Sequence, residues 1–149
     1  MATLPVDLVL NDARDHVAHH NSLHTTYNNA QIAVLGVEGT LVTGTGKMRF
    51  QFPVAATILG ISAAIDTPPT GASVIVDVNT IPSGSTTRTT IYSTQGNRPT
   101  IVAGAYNTTA ETVPNTTAFA AKASLTIDVD QIGSTTAGID LTVMVRYQI

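Results

Sequence analysis

The chain has 149 residues, the size of one ordinary domain with a short appendage, and its 43% apolar content suits a packed core and excludes wholesale disorder. Only 11% of residues are charged and the formal net charge is −3, so there is no basic surface to neutralise phosphates, and nucleic acid is excluded as a partner. Cysteine is absent, which removes disulfides, thiolate metal sites and cysteine nucleophiles together.

Residues 1–10 read as an N-terminal arm. They have neither the basic start nor the apolar run of a secretory signal. Residues 11–35 read as an α-helical segment for oligomerisation or attachment. Asn11 or Asp12 is placed to cap it, and Asp12 and Asp15 set negative charge at the positive end of the helix dipole. Leu10, Ala13, Val17, His20, His24 and Tyr27 follow a 3-4-3-4-3 spacing, which is a heptad seam. His16, His19 or His20, Leu23 and Ala30 form a second stripe beside it, and Asn28 and Asn29 supply the C-terminal stop. A helix over residues 12–29 would be roughly 27 Å long and marginal alone in water, because its stripes hold few large side chains. It must lean on the following domain or on copies of itself.

Composition changes near Gly36, and residues 40–149 read as a β-sandwich domain. Met48, Phe50 and Phe52 alternate with Lys47, Arg49 and Gln51 until Pro53 ends the strand. A second strand covers residues 57–65, closed by Thr67-Pro68-Pro69-Thr70-Gly71. Its neighbourhood, residues 54–65, is the most apolar stretch, yet Thr57, Gly60 and Ser62 interrupt it and it is too short to insert in a membrane. Residues 73–79 form a third strand with Val74, Val76 and Val78 inward and Asp77 outward. Pro82-Ser83-Gly84-Ser85 is a turn before a return over residues 88–93, and two further strands cover 99–103 and 106–113. In residues 123–132, Leu125, Ile127 and Val129 face the core while Thr126, Asp128 and Asp130 face out. A polar loop at 133–138 leads to the last strand, 139–147, with Leu141, Val143 and Val145 inward. Seven or eight strands with a turn every dozen residues imply a mainly β protein, a jelly-roll-like sandwich preceded by a short N-terminal α-helix.

Several residues carry potential chemistry. His16, His20 and His24 share one helix face at i, i+4 and i+8, the spacing at which imidazoles share a metal, and a threefold axis would be the natural place for an ion. No glutamate completes an H-E-x-x-H motif, and packing at a helix seam with Asn21 and Asn28 as polar partners accounts for the same pattern. No metal or cofactor is therefore assigned. Asp77, Asp128, Asp130 and Asp140 could meet on one sheet face to hold Ca²⁺, but the calcium-loop pattern is missing, and exposed strand faces need polar residues anyway. Gly44-Thr45-Gly46-Lys47 lacks the leading glycine of a phosphate loop and enters a strand, not a helix. There is no G-x-S-x-G elbow, glutamate occurs only as Glu38 and Glu111, and the histidines are segregated from the sandwich, so no enzyme is expected. A sugar-stacking platform would have to use Tyr92, Tyr106, Phe119 or Tyr147, some of which the core must claim.

The run His16-Val17-Ala18-His19-His20-Asn21-Ser22-Leu23-His24-Thr25-Thr26-Tyr27-Asn28 resembles the short H-x-x-x-H-N-x-L-H-x-x-x-N helix near the start of many tailed-bacteriophage fibre and minor structural proteins. Residues 45–149 are similar to a β-sandwich module of phage virion proteins. The likeness rests on Phe50-Gln51-Phe52-Pro53 and on residues 69–79, 97–104 and 125–135. The resemblance implies a non-enzymatic virion protein, a homotrimer with its helices on the axis, made in the host cytoplasm and carried on the phage exterior. Its leading form is a minor tail or short fibre protein facing the host surface, with a host glycan as a further partner. A head-decoration protein on the capsid is the alternative, and a small carbohydrate-binding module the rival from another class.

Overall fold

A computed structural model describes residues 30–149. The histidines His16, His20 and His24 and the seam positions from Leu10 to Tyr27 lie outside the described residues.

Nine strands follow in order: β1 (Ala30–Thr40), β2 (Gly44–Gln51), β3 (Ala56–Thr67), β4 (Val74–Ile81), β5 (Thr89–Thr90), β6 (Thr100–Ile101), β7 (Ala118–Phe119), β8 (Ser124–Gln131) and β9 (Ile139–Gln148). They form a four-stranded sheet ordered β1-β9-β3-β7 and a five-stranded sheet ordered β2-β8-β4-β5, with β6 also on β4. The chain crosses between the sheets on nearly every connection, so the first strands pair with the last. Pairs β2–β8, β4–β8 and β3–β9 are all antiparallel. This winding is the jelly roll that the strand count implied.

The core lies between the sheets and follows the predicted period of two. Val74, Val76 and Val78 meet Leu125, Ile127 and Val129 from the five-stranded sheet, and Ile61, Val143 and Val145 close it from the other; all are buried. Phe52 bridges the layers. Its ring stacks on Phe119 of β7 at a centroid separation of 5.4 Å and meets Tyr147 of β9 edge-on at 5.2 Å. Just beyond β2, its backbone is held on both sides, N–H to the Ala123 carbonyl at 2.9 Å and carbonyl to the Lys122 N–H at 2.8 Å.

Three expectations need correction. Ala30–Leu35, the last six residues of the segment expected to be helical, are strand. Here Ala33 and Leu35 are buried while Ile32 and Val34 are exposed, a strict alternation that only an extended backbone produces. The return over residues 88–93 shrinks to Thr89–Thr90, and residues 106–113 form no continuous strand. They line β3 through isolated bridges, Ala64 with Asn107 and Ile61 with Thr112. Between those bridges Glu111 reaches over Gly60 to Arg146 on β9, where a Cβ on residue 60 would press on the carboxylate.

Candidate functional site

The outer face of the five-stranded sheet carries a polar cluster. Asp77 on β4 and Asp128 on β8 are direct cross-strand partners, with Asn79 opposite Thr126 in the next row. Two like charges so placed repel, and the site is built around that problem. Asp128 accepts from the Gly46 N–H at 2.6 Å and from the Asn79 amide at 2.9 Å, with an Arg88 Nη1 at 3.7 Å. Asp77 accepts from the Thr90 hydroxyl at 2.7 Å and from the Val78 N–H at 2.9 Å. Arg98 closes the upper end by pairing with Asp130, and its Nε donates to the Gln95 carbonyl at 2.8 Å.

Gly46 explains how Arg88 reaches the cluster. Its backbone sits at φ 63°, in the left-handed region, and a Cβ there would collide with the Arg88 guanidinium. The Gly44-Thr45-Gly46-Lys47 run is thus an irregular stretch of β2, where the register with β8 shifts between Gly44 and Met48.

These carboxylates were expected on a solvated face. Instead Asp77 and Asp128 are buried, at 8% and 6% relative exposure. The reason is local: β5 and the Arg88 and Arg98 side chains lie along or over their strands. Burial pushes the Asp77 carboxyl above its ordinary value, and the neighbouring Asp130 adds to that; the bonds from Thr90 and Val78 and the charge of Arg98 pull the other way.

Of the four carboxylates considered for Ca²⁺, the structure brings Asp77, Asp128 and Asp130 into one sheet. Asp140 is in the other sheet, where its carboxylate takes the Gly39 N–H at 2.5 Å. Among the described residues no three histidine or carboxylate side chains are grouped so as to hold a metal ion. Both oxygens of Asp128 and Oδ1 of Asp77 take protein donors, and among the described residues the Thr126 hydroxyl is the buried side-chain polar atom left without a partner.

The aromatics divide in the same manner. Tyr92, Phe119 and Tyr147 are buried, and of the four residues considered for sugar stacking only Tyr106 is exposed. The Tyr92 hydroxyl shares a 2.8 Å hydrogen bond with Thr112, and burial pushes its pKa up to about 12. On the four-stranded sheet the exposed Glu111 and Arg146 form a two-pronged ion pair, and the bonds from Arg146 lower the Glu111 carboxyl below its usual value. An open groove of about 580 Å³ at the end of β3, β7 and β9 is lined by alanines, Phe119 and Ile149, with Thr57 and Gln148 as its polar side chains. No titratable side chain lines it, so its side chains offer no acid or base.

One surface is apolar. Among the described residues β1 has β9 on one side and no strand on the other, and it presents Ile32 at 64% and Val34 at 66% exposure. Sequence reasoning missed it by assigning these residues to a helix. The apolar run Ile32-Ala33-Val34-Leu35, with its two β-branched residues, was the signal available.

No protein-family model matches the chain, and no curated protein matches it. Among solved structures it is similar to a chain of the Cyanophage Pam1 capsid asymmetric unit, at 19% identity and a TM-score of 0.35, over 81% of this chain and 85% of that one. A second similarity is to the CBM22-1–GH10 modules of a Clostridium thermocellum endo-1,4-beta-D-xylanase, at 14% identity and TM-score 0.34, over 82% and 25%. A third is to the VP2 subviral particle of infectious bursal disease virus, at 13% identity and TM-score 0.32, over 80% and 37%. The chain spans about a quarter and just over a third of the last two chains. Similarity of this depth does not define a shared family or carry a function.

Proposed function

We propose that the chain is a non-enzymatic structural protein of a tailed-phage particle, a homotrimeric minor tail or short fibre component whose sandwich faces the host surface. The observation that carries the reading is where the phage-like segments fall. Residues 50–53, 69–79, 97–104 and 125–135 are far apart in the chain, yet they contribute to β2, β4, β6 and β8, which are all members of one sheet. The resemblance therefore follows a folded unit. Two further features support a passive role. Among the described residues the buried Asp77, Asn79 and Asp128 side chains are bonded within the protein, and no nucleophile, base and orienting group are brought together. Histidines within a heptad seam suit a fixed copy number, as polar seam residues do in coiled coils.

The test has two arms. Sedimentation equilibrium of the full chain is expected to return three times 15.5 kDa, and a monomer mass would overturn the trimer. Antibody labelling of intact particles is expected at the distal tail. Label on the head lattice would replace the tail assignment by capsid decoration, and particles without label would remove the virion role altogether.

A further inference from the structure

We propose that residues 82–88, between β4 and β5, are a salt-sensitive strap latched by Arg88, and that its opening exposes the polar row of Asn79, Thr126 and Asp128. The register of the sheet places the strap. Thr89 and Thr90 pair with Thr80 and Asn79, which stand opposite Leu125 and Thr126 of β8. Arg88 thus leaves the ladder at the Ser124 end of β8, yet its guanidinium lies beside Asp128 and against Gly46 of β2. Asp128 is four residues beyond Ser124, about 13 Å along a strand, so Arg88 reaches it across the row that holds Thr126 and Asn79.

That crossing accounts for Thr126. The residue shares the outer face with Asp128, and it is nevertheless 1% exposed, its hydroxyl without a partner. A polar group buried in this way costs free energy that contact with water would return. Closure therefore works against itself at Thr126, and little holds it shut. Pro82–Thr89 are all exposed. The strap's bonds at Ser85 and Thr87 are local, to the Pro82 carbonyl and the Ser85 hydroxyl. Its ion pair to the sheet is the 3.7 Å contact of Arg88 with Asp128, made by a side chain 36% exposed and so open to screening by salt. Both ends are fixed in the core, by Ile81 before the strap and by Ile91 and Tyr92 after it. A segment with firm ends, local bonds and a weak latch opens as a unit, without unfolding the sheet.

The chain has no cysteine, so an introduced thiol reports on one place. In the full-length chain, Thr126→Cys is compared with Ser83→Cys on the exposed strap and Val143→Cys in the core, by the rate of reaction with an uncharged thiol reagent. Thr126→Cys is expected to react at least ~10-fold faster than Val143→Cys and at least ~10-fold more slowly than Ser83→Cys, as a thiol released by local opening does. Arg88→Gln is expected to raise its rate ~2- to 5-fold, the range of a partly exposed ion pair, and to leave Val143→Cys unchanged. Going from about 0.01 to 1 M NaCl, which shortens the Debye length from about 30 to 3 Å, should speed Thr126→Cys with Arg88 present and not in Arg88→Gln. Ser124→Cys, 6% exposed on the same face, gives the same readings if Thr126→Cys does not fold. Equal rates for Thr126→Cys and Val143→Cys mean that the face opens only when the protein unfolds, and overturn the strap. Equal rates for Thr126→Cys and Ser83→Cys mean that it is never closed, and overturn it too. Acceleration of both buried thiols alike by Arg88→Gln makes Arg88 a general stabiliser and overturns the latch. So does an acceleration by salt that persists in Arg88→Gln.

Discussion

Replacing Asp128 tests whether the polar cluster is a structural joint or a vacant ligand site. Its carboxylate takes the Gly46 N–H at 2.6 Å and the Asn79 amide at 2.9 Å, and the residue is 6% exposed. A hydrogen bond to a charged acceptor contributes about 1.5–3 kcal/mol, and a buried donor left unpaired costs about 1–3 kcal/mol. The Arg88 contact adds little, since its 3.7 Å pair involves a side chain that is 36% exposed. Asp128→Ala is therefore expected to lose about 3–4 kcal/mol, a large share of the ~5–15 kcal/mol that holds a domain together. Asp128→Asn keeps the shape but turns an NH₂ group toward a donor, for a loss of about 2 kcal/mol. Urea unfolding followed by circular dichroism measures both, and an unchanged m-value would show that the unfolded state is not the cause. A loss below ~1 kcal/mol for Asp128→Ala would refute the bonding account. So would a Ca²⁺-dependent rise in the wild-type midpoint, because it would give these oxygens an ion to hold.

Three other perturbations read different parts of the fold. Phe52→Ala, which removes a fully buried ring touching Phe119 and Tyr147, is expected to cost about 3–5 kcal/mol in the same urea assay, and Phe52→Leu clearly less. Gly133→Ala places a Cβ against the Thr136 carbonyl and should lower the thermal midpoint by several degrees, whereas Gly96→Ala, in open space, should not. Asp77→Asn keeps an oxygen for Thr90 and Val78 but removes the buried charge. Because the folded-state pKa of Asp77 is raised above 3.8, the native protein holds more protons than the unfolded one within that window, and stability falls as pH rises through it. The stability of wild type relative to Asp77→Asn should accordingly improve on acidification from neutral pH toward 3.8; a flat difference would show that burial does not strain this carboxyl.

The long strands were legible because their inward residues are β-branched or large and their neighbours polar. Leu125-Thr126-Ile127-Asp128-Val129 displays the period of two without ambiguity, and Val76-Asp77-Val78-Asn79 repeats it on β4. β1 was hidden by its composition: Ala30, Ala33 and Gly36 carry little periodic signal, and the histidines and asparagines before them drew the boundary too far along the chain. The short strands β5 and β7 hold two residues each, fewer than any pattern needs. At the cluster, the sequence placed Asp77 and Asp128 on the correct face and gave them the wrong environment. Burial there depends on Arg88, Arg98 and Thr90 arriving from another part of the chain, and side-chain alternation within one strand contains no information about such a cover.

The two outer surfaces divide the structural work. On the five-stranded sheet, polar side chains are spent on one another: Asp128 on Gly46 and Asn79, Asp77 on Thr90, Asp130 on Arg98. A face satisfied in this way gives a neighbouring molecule few free groups to bind, which suits a wall turned to solvent. The four-stranded sheet is guarded by the Glu111–Arg146 pair across β3 and β9, but that pair stops short of β1. Charge repels strand-to-strand association only where it stands, so this protection leaves Ile32 and Val34 as the least defended part of the described surface.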